Sequence, residues 1–189
     1  MHKIPTLFKR DYDGNRLVYN EVVEGCEWVV SGEGQATEKF DGTSCLVNAS
    51  GYFKRYDAKA GKTPPDGFIP AQDAPDEVTG HWPGWLRVGD GNEDKWHREG
   101  YHNSVESLPR GTYELVGPKV QGNPYRLEHH ELWRHGVQKL PDAPRDFDGL
   151  RDWLATHEVE GIVWHHPDGR MCKLKRRDFG LPWPVNAKG

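Results

Sequence analysis

Short runs of β-forming residues recur along the chain, and each is bordered by Gly, Pro, Asp or Asn. Runs of this length between turn residues are typical of strands in antiparallel sheets. They predict six strands, at Glu27–Val30, Thr43–Val47, Thr112–Val116, Glu131–Trp133, Gly161–Trp164 and Met171–Lys175. Several short strands with few helices indicate an α+β fold built on antiparallel sheets.

One segment has helical spacing instead. From Asp148 to about His157, large apolar residues recur three and four positions apart and share one face, namely Phe147, Leu150, Trp153 and Leu154. Asp146 or Asp148 is placed to cap the first turn. Elsewhere, the Pro- and Gly-rich stretch Gly61–Gly84 predicts a long excursion, which is either a surface loop over a site or an insertion.

The length and composition favour one folded domain covering residues 1–189. Only 35% of the residues are hydrophobic, but eight Trp, seven Tyr and six Phe supply a core of large side chains, which argues against disorder. The sequence has no apolar run of membrane-spanning length and no apolar secretory signal. Its three cysteines form neither a CxxC pair nor an even disulfide set. We therefore expect a soluble protein of a reducing compartment, the cytoplasm, with no membrane partner.

The net charge of −4 hides a local excess of positive charge. Between Arg170 and Gly180 there are five basic residues and one acidic residue. A basic strip in an acidic protein indicates a phosphate-bearing ligand, although an ordinary solvated face is the alternative.

Within that strip, Lys173 and Lys175 lie two residues apart on the last predicted strand, so both ammonium groups share one face while Leu174 faces the other way. Two like charges side by side repel each other unless an anion lies between them, and a phosphate would serve. The alternative is an edge strand protected by lysines. Upstream, Glu160 precedes an apolar strand, where it either holds a cation such as Mg²⁺ against phosphate oxygens or stays in water.

Two further positions carry candidate chemistry. Lys39 stands in the segment Thr37–Thr43, where Gly42 permits a tight turn into the next strand, although a hairpin turn beside a surface lysine gives the same pattern. Glu114 is either exposed or lines a cleft and accepts hydrogen bonds from a ligand hydroxyl. The pairs at 129–130 and 165–166 are histidines, but adjacent residues on a strand point to opposite faces. We therefore predict loop and surface roles for them rather than metal binding.

The order of these elements carries a resemblance. Lys39, Glu114, Glu160 and the Lys173/Lys175 pair resemble the motifs of the covalent nucleotidyltransferase superfamily, which comprises polynucleotide ligases and mRNA capping enzymes. The segments 37–43, 117–125 and 179–184 look like the small single-domain RNA ligases that include a vertebrate 5′-to-3′ RNA ligase. The resemblance covers nearly the whole chain and is weaker over residues 61–100. It implies the nucleotidyltransferase (adenylyltransferase) fold, here without the C-terminal OB-fold of DNA ligases and capping enzymes.

The resemblance also implies a role for each matching residue. Lys39 matches the nucleophile that becomes linked to AMP, and Glu38 matches the position that contacts the amino edge of adenine. Asp41 and Gly42 complete the nucleophile motif at the nucleotide. Arg55 matches the basic residue at the ribose and phosphates, with Lys54 as its competitor.

The remaining matches lie further along the chain. Glu114 corresponds to the carboxylate that binds the ribose hydroxyls, and Trp133 to the aromatic residue that stacks on adenine. Leu132 is the rival of Trp133, because a register slip of one residue exchanges them. Glu160 corresponds to the metal-associated carboxylate, whereas Lys173 and Lys175 correspond to the pair on the α-phosphate.

The implied activity is that of an ATP-dependent RNA ligase, a phosphoric-ester-bond-forming enzyme that uses Mg²⁺ or Mn²⁺. It joins RNA 5′-phosphate and 3′-hydroxyl ends through a lysyl-AMP intermediate and an adenylylated 5′ end. The alternatives are a capping-type guanylyltransferase and a non-catalytic nucleotide- or RNA-binding module. The sequence predicts no oligomeric state.

Overall fold

The computed structural model describes residues 3–104 and 108–185. Its strands are β1 (Phe8–Arg10), β2 (Val18–Val22), β3 (Gln35–Lys39), β4 (Thr43–Asn48), β5 (Gly51–Ala58), β6 (Ile69–Pro70), β7 (Trp82–Arg87), β8 (Gly111–Val116), β9 (Glu131–Arg134), β10 (Gly161–His165) and β11 (Met171–Lys175). The α-helices are α1 (Glu27–Val30), α2 (Lys95–Asn103) and α3 (Phe147–Thr156), and 3₁₀ turns occupy Asn92–Asp94 and Arg176–Phe179. The chain divides into two compact units, the first formed by residues 1–3 and 41–135 and the second by residues 4–40 and 136–189.

The first unit is a six-stranded antiparallel sheet in the order β6-β7-β5-β4-β8-β9. Helix α2 lies on one face, where the ring of Tyr101 packs 5.0 Å from the ring of Tyr52. The core of the unit lies on the same side and consists of Cys45, Val47, Tyr113, Leu115, Val120 and Leu132. The other face of the sheet carries Glu114 and Arg55.

The second unit contains a three-stranded antiparallel sheet, β11-β10-β3, and the two-stranded sheet β1-β2. Helix α3 buries Leu150 and Leu154 in the same core that takes the inward side chains of β10 and β11. Asp146 caps this helix by accepting a hydrogen bond from the Gly149 N–H at 2.8 Å, which confirms one of the two predicted caps. The predicted helix and its apolar face are confirmed.

Five of the six predicted strands are confirmed as β4, β8, β9, β10 and β11. The prediction for Glu27–Val30 is wrong, because this run is the single-turn helix α1. Trp28 and Val29 are buried while Glu27 and Val30 are exposed, a pattern that does not alternate. Four residues are too few for β-branched composition to distinguish a strand from a helical turn.

The α+β class is confirmed, since antiparallel sheets dominate and helices are few. The nucleotidyltransferase assignment and the single domain over residues 1–189 stay predictions. Within Gly61–Gly84 the chain forms β6 and begins β7, and Trp82 Nε1 donates to the Gln72 carbonyl at 2.8 Å. No helix in the described ranges is long and apolar enough to cross a membrane.

Candidate functional site

Three lysines of the second unit share one face of its three-stranded sheet. Gly161 of the central strand β10 pairs with Lys39 of β3 on one side and with Lys175 of β11 on the other. Lys173 lies on the same face, opposite Val163. On β10 and β11 the opposite face is apolar, and Leu174 is fully buried there, as the spacing of the two lysines predicts. We call Lys39, Lys173, Lys175 and the carboxylate Glu160 the lysine cluster.

Gly161 sets the separation of the strands at this point. A Cβ atom on residue 161 would lie 2.3 Å from the Leu174 carbonyl oxygen and 2.9 Å from Lys175 Cα. Both contacts are with backbone atoms, which cannot rotate away as a side chain can. Only glycine allows β11 to approach β10 this closely, so Gly161 keeps Lys175 in its position across from Lys39.

Glu160 supplies the negative charge of the lysine cluster. Its Oε2 atom lies 2.7 Å from Lys39 Nζ, and the residue is only 7% exposed. The backbone carbonyl of Glu160 accepts a hydrogen bond from the Arg176 N–H at 2.9 Å, which fixes the start of β10. The alternative of a carboxylate left in water is therefore wrong. Burial makes this ion pair consequential, because removing either partner leaves a poorly solvated charge.

The lysine cluster carries more positive than negative charge, and the pKa of Lys173 reflects this. Burial, together with the neighbouring positive charges of Lys39 and Lys175, lowers that pKa to about 8. Asp178 and Glu160 oppose the shift without cancelling it. Ammonium groups held this close together favour an anion in their midst, which is the electrostatic character of a phosphate site.

Glu38 lies beside the nucleophile candidate but on the other face of β3. It pairs with Ile162, whereas Lys39 pairs with Gly161. Its backbone N–H donates to the Gln138 carbonyl at 2.8 Å, and burial raises the pKa of its carboxyl group. The structure therefore does not bring the Glu38 carboxylate together with the three lysines, and its adenine contact stays a prediction.

A second set of candidate residues lies in the first unit, on the sheet face opposite α2. Glu114 of β8 is paired with Ser44 of β4 and with Trp133 of β9, so their side chains project on the same side. Glu114 is 8% exposed, and its Oε2 atom lies 2.7 Å from His135 Nε2. The expectation of an exposed Glu114 is therefore wrong. We call Arg55, Glu114, Trp133 and His135 the Glu114 face.

The register of β8 and β9 decides between Trp133 and Leu132. Trp133 pairs with Glu114, whereas Leu132 pairs with Leu115 and is buried in the core. The Trp133 ring lies 4.6 Å from the Tyr125 ring, and its Nε1 atom donates to Glu131 at 2.9 Å. Trp133 is therefore the aromatic residue of the Glu114 face, and Leu132 is a core residue.

Strand β5 separates Arg55 and Lys54 in the same way. Lys54 pairs with Cys45 on the α2 side and forms an ion pair with the buried Asp94. Arg55 projects on the Glu114 face, where its guanidinium lies 5.5 Å from the centre of the Trp85 ring and 2.8 Å from Asp57. Of the two competing basic residues, Arg55 is the one that shares a face with Glu114.

The Asp41–Gly42 turn is fixed by contacts within the first unit. A Cβ atom on residue 42 would lie 2.1 Å from the Leu115 carbonyl oxygen, so glycine is required by the approach of β8. The Asp41 N–H donates to the Tyr125 hydroxyl at 2.6 Å. The turn is thereby held by Tyr125, which also packs on Trp133 and which the sequence does not single out.

The described residues contain no group of three or more His, Cys, Asp or Glu side chains that could hold a metal ion. The assignment of Glu160 to a magnesium ion that takes its remaining ligands from phosphate and water stays a prediction. Of the histidine pairs, His130 is buried and stacks 4.7 Å from Trp96, so a surface role is wrong for it. His166 lies 2.9 Å from Glu33 at the surface.

Several known proteins are similar to this chain in sequence. The sequence model of the family described as RNA ligase 1 matches residues 102–188. The chain is 35% identical over 144 residues to RNA ligase 1 of Danio rerio, covering 59% of this chain and 44% of that protein. It is 31% identical over 165 residues to RNA ligase 1 of Pongo abelii, covering 66% and 50%. RNA ligase 1 of Mus musculus is 28% identical over 223 residues, covering 79% and 68%.

The chain spans about half the length of the Danio rerio and Pongo abelii proteins. The matched segment includes Glu114, Trp133, Glu160, Lys173 and Lys175. These findings agree with the class of protein that the ordered motifs indicate, a polynucleotide-joining enzyme. Over these residues the chain is similar to proteins named RNA ligase 1.

Proposed function

We propose that this chain is an ATP-dependent RNA ligase that works through a lysyl-AMP intermediate. The observation that carries the proposal is the pairing of Lys39 with the buried Glu160 beside Lys173 and Lys175. A nucleophilic lysine needs an acceptor for its proton and cations for the phosphate that it attacks. The similarity to RNA ligase 1 over residues 102–188 and to RNA ligase 1 of Danio rerio supports the same assignment.

In the first step, Lys39 Nζ attacks the α-phosphorus of ATP. A nitrogen–phosphorus bond forms as the bond between the α-phosphorus and the pyrophosphate oxygen breaks. Lysine is protonated at neutral pH, so Nζ must give up a proton before it attacks. Glu160, 2.7 Å from Nζ, is positioned to accept it. Lys173 and Lys175 stabilise the charge on the α-phosphate oxygens.

Glu160 would also contribute to holding Mg²⁺ or Mn²⁺, which neutralises phosphate charge when it is bound. The residues of the Glu114 face bind the nucleoside: Glu114 accepts hydrogen bonds from the ribose hydroxyls, and Trp133 stacks on adenine. Arg55 contacts the ribose or phosphates, and Glu38 the adenine edge. Asp41 and Gly42 hold the turn that follows the nucleophile.

In the second step, an RNA 5′-phosphate oxygen attacks the AMP phosphorus and Lys39 leaves, which gives an adenylylated 5′ end. In the third step, the RNA 3′-hydroxyl attacks that 5′-phosphate, and AMP leaves as the phosphodiester bond forms. The substrates are therefore RNA ends that carry a 5′-phosphate and a 3′-hydroxyl. The three cysteines are buried free thiols, which supports a reducing location such as the cytoplasm.

The test is intact-protein mass spectrometry after incubation with Mg²⁺ and either ATP or GTP. We expect an adenylyl adduct with ATP, no adduct in Lys39→Ala, and an undiminished adduct in the matched surface variant Lys119→Ala. A guanylyl adduct would indicate capping chemistry instead. A folded wild-type protein that forms no adduct with either nucleotide would be a binding module, and the proposal would be wrong.

A further inference from the structure

His135 is a histidine of the Glu114 face that the proposed mechanism does not use. It follows β9 and lies two residues after Trp133, so it projects on the same side of the sheet. Its Nε2 atom lies 2.7 Å from Glu114 Oε2, and its Nδ1 atom lies 3.0 Å from the Thr112 hydroxyl. Both ring nitrogens are therefore hydrogen-bonded to side chains of the same neighbouring strand, β8.

The backbone places this ring as firmly as its side-chain contacts do. The His135 N–H donates to the Thr112 carbonyl at 3.1 Å, which continues the pairing of β8 and β9 by one residue. The side chain of His135 is 19% exposed and that of Glu114 is 11% exposed, so water competes little for their hydrogen bond. Because both ring nitrogens and the backbone N–H of His135 are hydrogen-bonded, the ring has little freedom to turn away from Glu114.

The hydrogen-bonding capacity of the partners fixes the roles of the ring nitrogens. An ionised carboxylate only accepts, so Nε2 carries a proton and donates it to Glu114. In the neutral ring, Nδ1 then accepts the hydroxyl hydrogen of Thr112. The pattern is that of a carboxylate oriented through histidine, in which the ring keeps one oxygen occupied and the plane of the carboxylate fixed.

We propose that His135 is the positioning residue for Glu114 and that it aims the Oε1 oxygen at the ribose hydroxyls of the bound adenosine nucleotide. Among the described residues, the side chain that forms a hydrogen bond with Glu114 is His135, and it contacts Oε2. Thr112 acts one step further away by fixing the tautomer of the ring. The inference rests on the nucleoside-binding role proposed above for Glu114.

The consequence is specific to the ribose. If His135 only stabilised the sheet, its loss would weaken the binding of every nucleotide equally. If it aims Glu114, its loss removes the preference for a nucleotide that carries both hydroxyls and leaves binding of the deoxy analogues unchanged. A hydrogen bond from a hydroxyl to a charged acceptor corresponds to about tenfold or more in affinity, which sets the size of the effect.

The experiment is isothermal titration of the whole chain with AMP, 2′-deoxy-AMP and 3′-deoxy-AMP. We expect the wild type to prefer AMP over at least one deoxy analogue by about tenfold. His135→Ala should bind AMP about tenfold more weakly and bind the disfavoured analogue unchanged. His135→Gln should restore part of the preference, because its amide can donate to Glu114. His129→Ala, at an exposed histidine of the same unit, is the matched control.

For the His135→Ala variant, two results would overturn the inference: a preference for AMP that survives, or an equal loss of affinity for AMP and both analogues. A wild type that does not bind AMP would overturn it as well. A wild type that binds AMP with the expected preference but forms no adduct with ATP would leave this inference standing and overturn the proposed catalytic function. Circular dichroism of each variant establishes that it is folded.

Discussion

The lysine cluster and the Glu114 face hold their charges in opposite ways. In the lysine cluster, three ammonium groups share one sheet face with one buried carboxylate, and burial together with their mutual repulsion lowers the pKa of Lys173. On the Glu114 face, the carboxylate is hydrogen-bonded to His135 and flanked by Trp133. The lysine cluster has a net positive charge that an anion would balance. The Glu114 face instead offers a directed hydrogen-bond acceptor and an aromatic ring surface.

The difference shows which kind of ligand group each site fits. Phosphate is charged and nearly symmetrical, so a surplus of cations binds it without demanding one orientation. A nucleoside is neutral and asymmetric, so its recognition depends on aimed acceptors and a stacking surface. Substitutions in the lysine cluster should therefore act through charge, whereas substitutions on the Glu114 face should act through geometry.

The largest expected effect is that of Glu160→Gln, which keeps the shape of the side chain and removes its charge. Lys39 loses its proton acceptor, so we expect the rate of AMP adduct formation to fall by about 100-fold. The metal requirement should also change, with half-maximal rate at a higher Mg²⁺ concentration. Single-turnover labelling over a Mg²⁺ titration measures both, and an unchanged titration would remove Glu160 from the metal role.

The second effect is that of removing the Lys173 charge, which should raise the stability of the ligand-free protein and weaken nucleotide binding. In the folded protein the pKa of Lys173 is lowered from its ordinary value of 10.5 to about 8, because burial and the neighbouring positive charges disfavour the charged form. At pH 7 the charge on Lys173 therefore opposes folding. The unfolded chain binds more protons between these two values, and stability should therefore rise as the pH increases from about 8 towards 10.5.

Lys173→Met should abolish that rise and stabilise the ligand-free protein at pH 7 by about 1–3 kcal/mol. The same variant should bind AMP more weakly, because a cation facing the phosphate is lost. Urea unfolding at several pH values measures the change in stability, and AMP titration measures the change in affinity. A variant that is less stable than the wild type at pH 7 would contradict the electrostatic origin of the shift.

The third effect distinguishes the two neighbours on β9, Trp133 and Leu132. Trp133→Ala should weaken AMP binding by about tenfold, because stacking of a base on an aromatic side chain is lost. Leu132→Ala should instead lower the free energy of unfolding by about 2–5 kcal/mol, because it leaves a cavity in the core. AMP affinity and urea unfolding of both variants separate the roles. Equal loss of affinity in the two variants would contradict the assignment of faces.

The sequence predicts the lysine cluster better than it predicts the Glu114 face. A two-residue spacing on a strand already places Lys173 and Lys175 on one side, and the register of β10 then brings Lys39 alongside. No such local rule distinguishes Trp133 from Leu132 or Arg55 from Lys54. In each pair, the answer depends on which face of the sheet α2 covers.

His135 and Tyr125 were out of reach for the same reason. Each acts through a contact with a residue far along the chain, Thr112 and Glu114 for His135 and Asp41 for Tyr125. The one available signal for His135 is its position two residues after Trp133. The run Glu27–Val30 is predicted as a strand but forms helix α1, because four residues give no period to measure.

Because the backbone of β11 approaches residue 161 so closely, we expect this position to tolerate no amino acid other than glycine. Randomising the codon for residue 161 should return glycine alone among active clones, although glycine brings no group that could touch a substrate. Alanine at that position would act as a wedge and widen the gap between two strands rather than remove a contact. The spacing of the three ammonium groups is thus encoded in a position that a search for reactive residues would pass over.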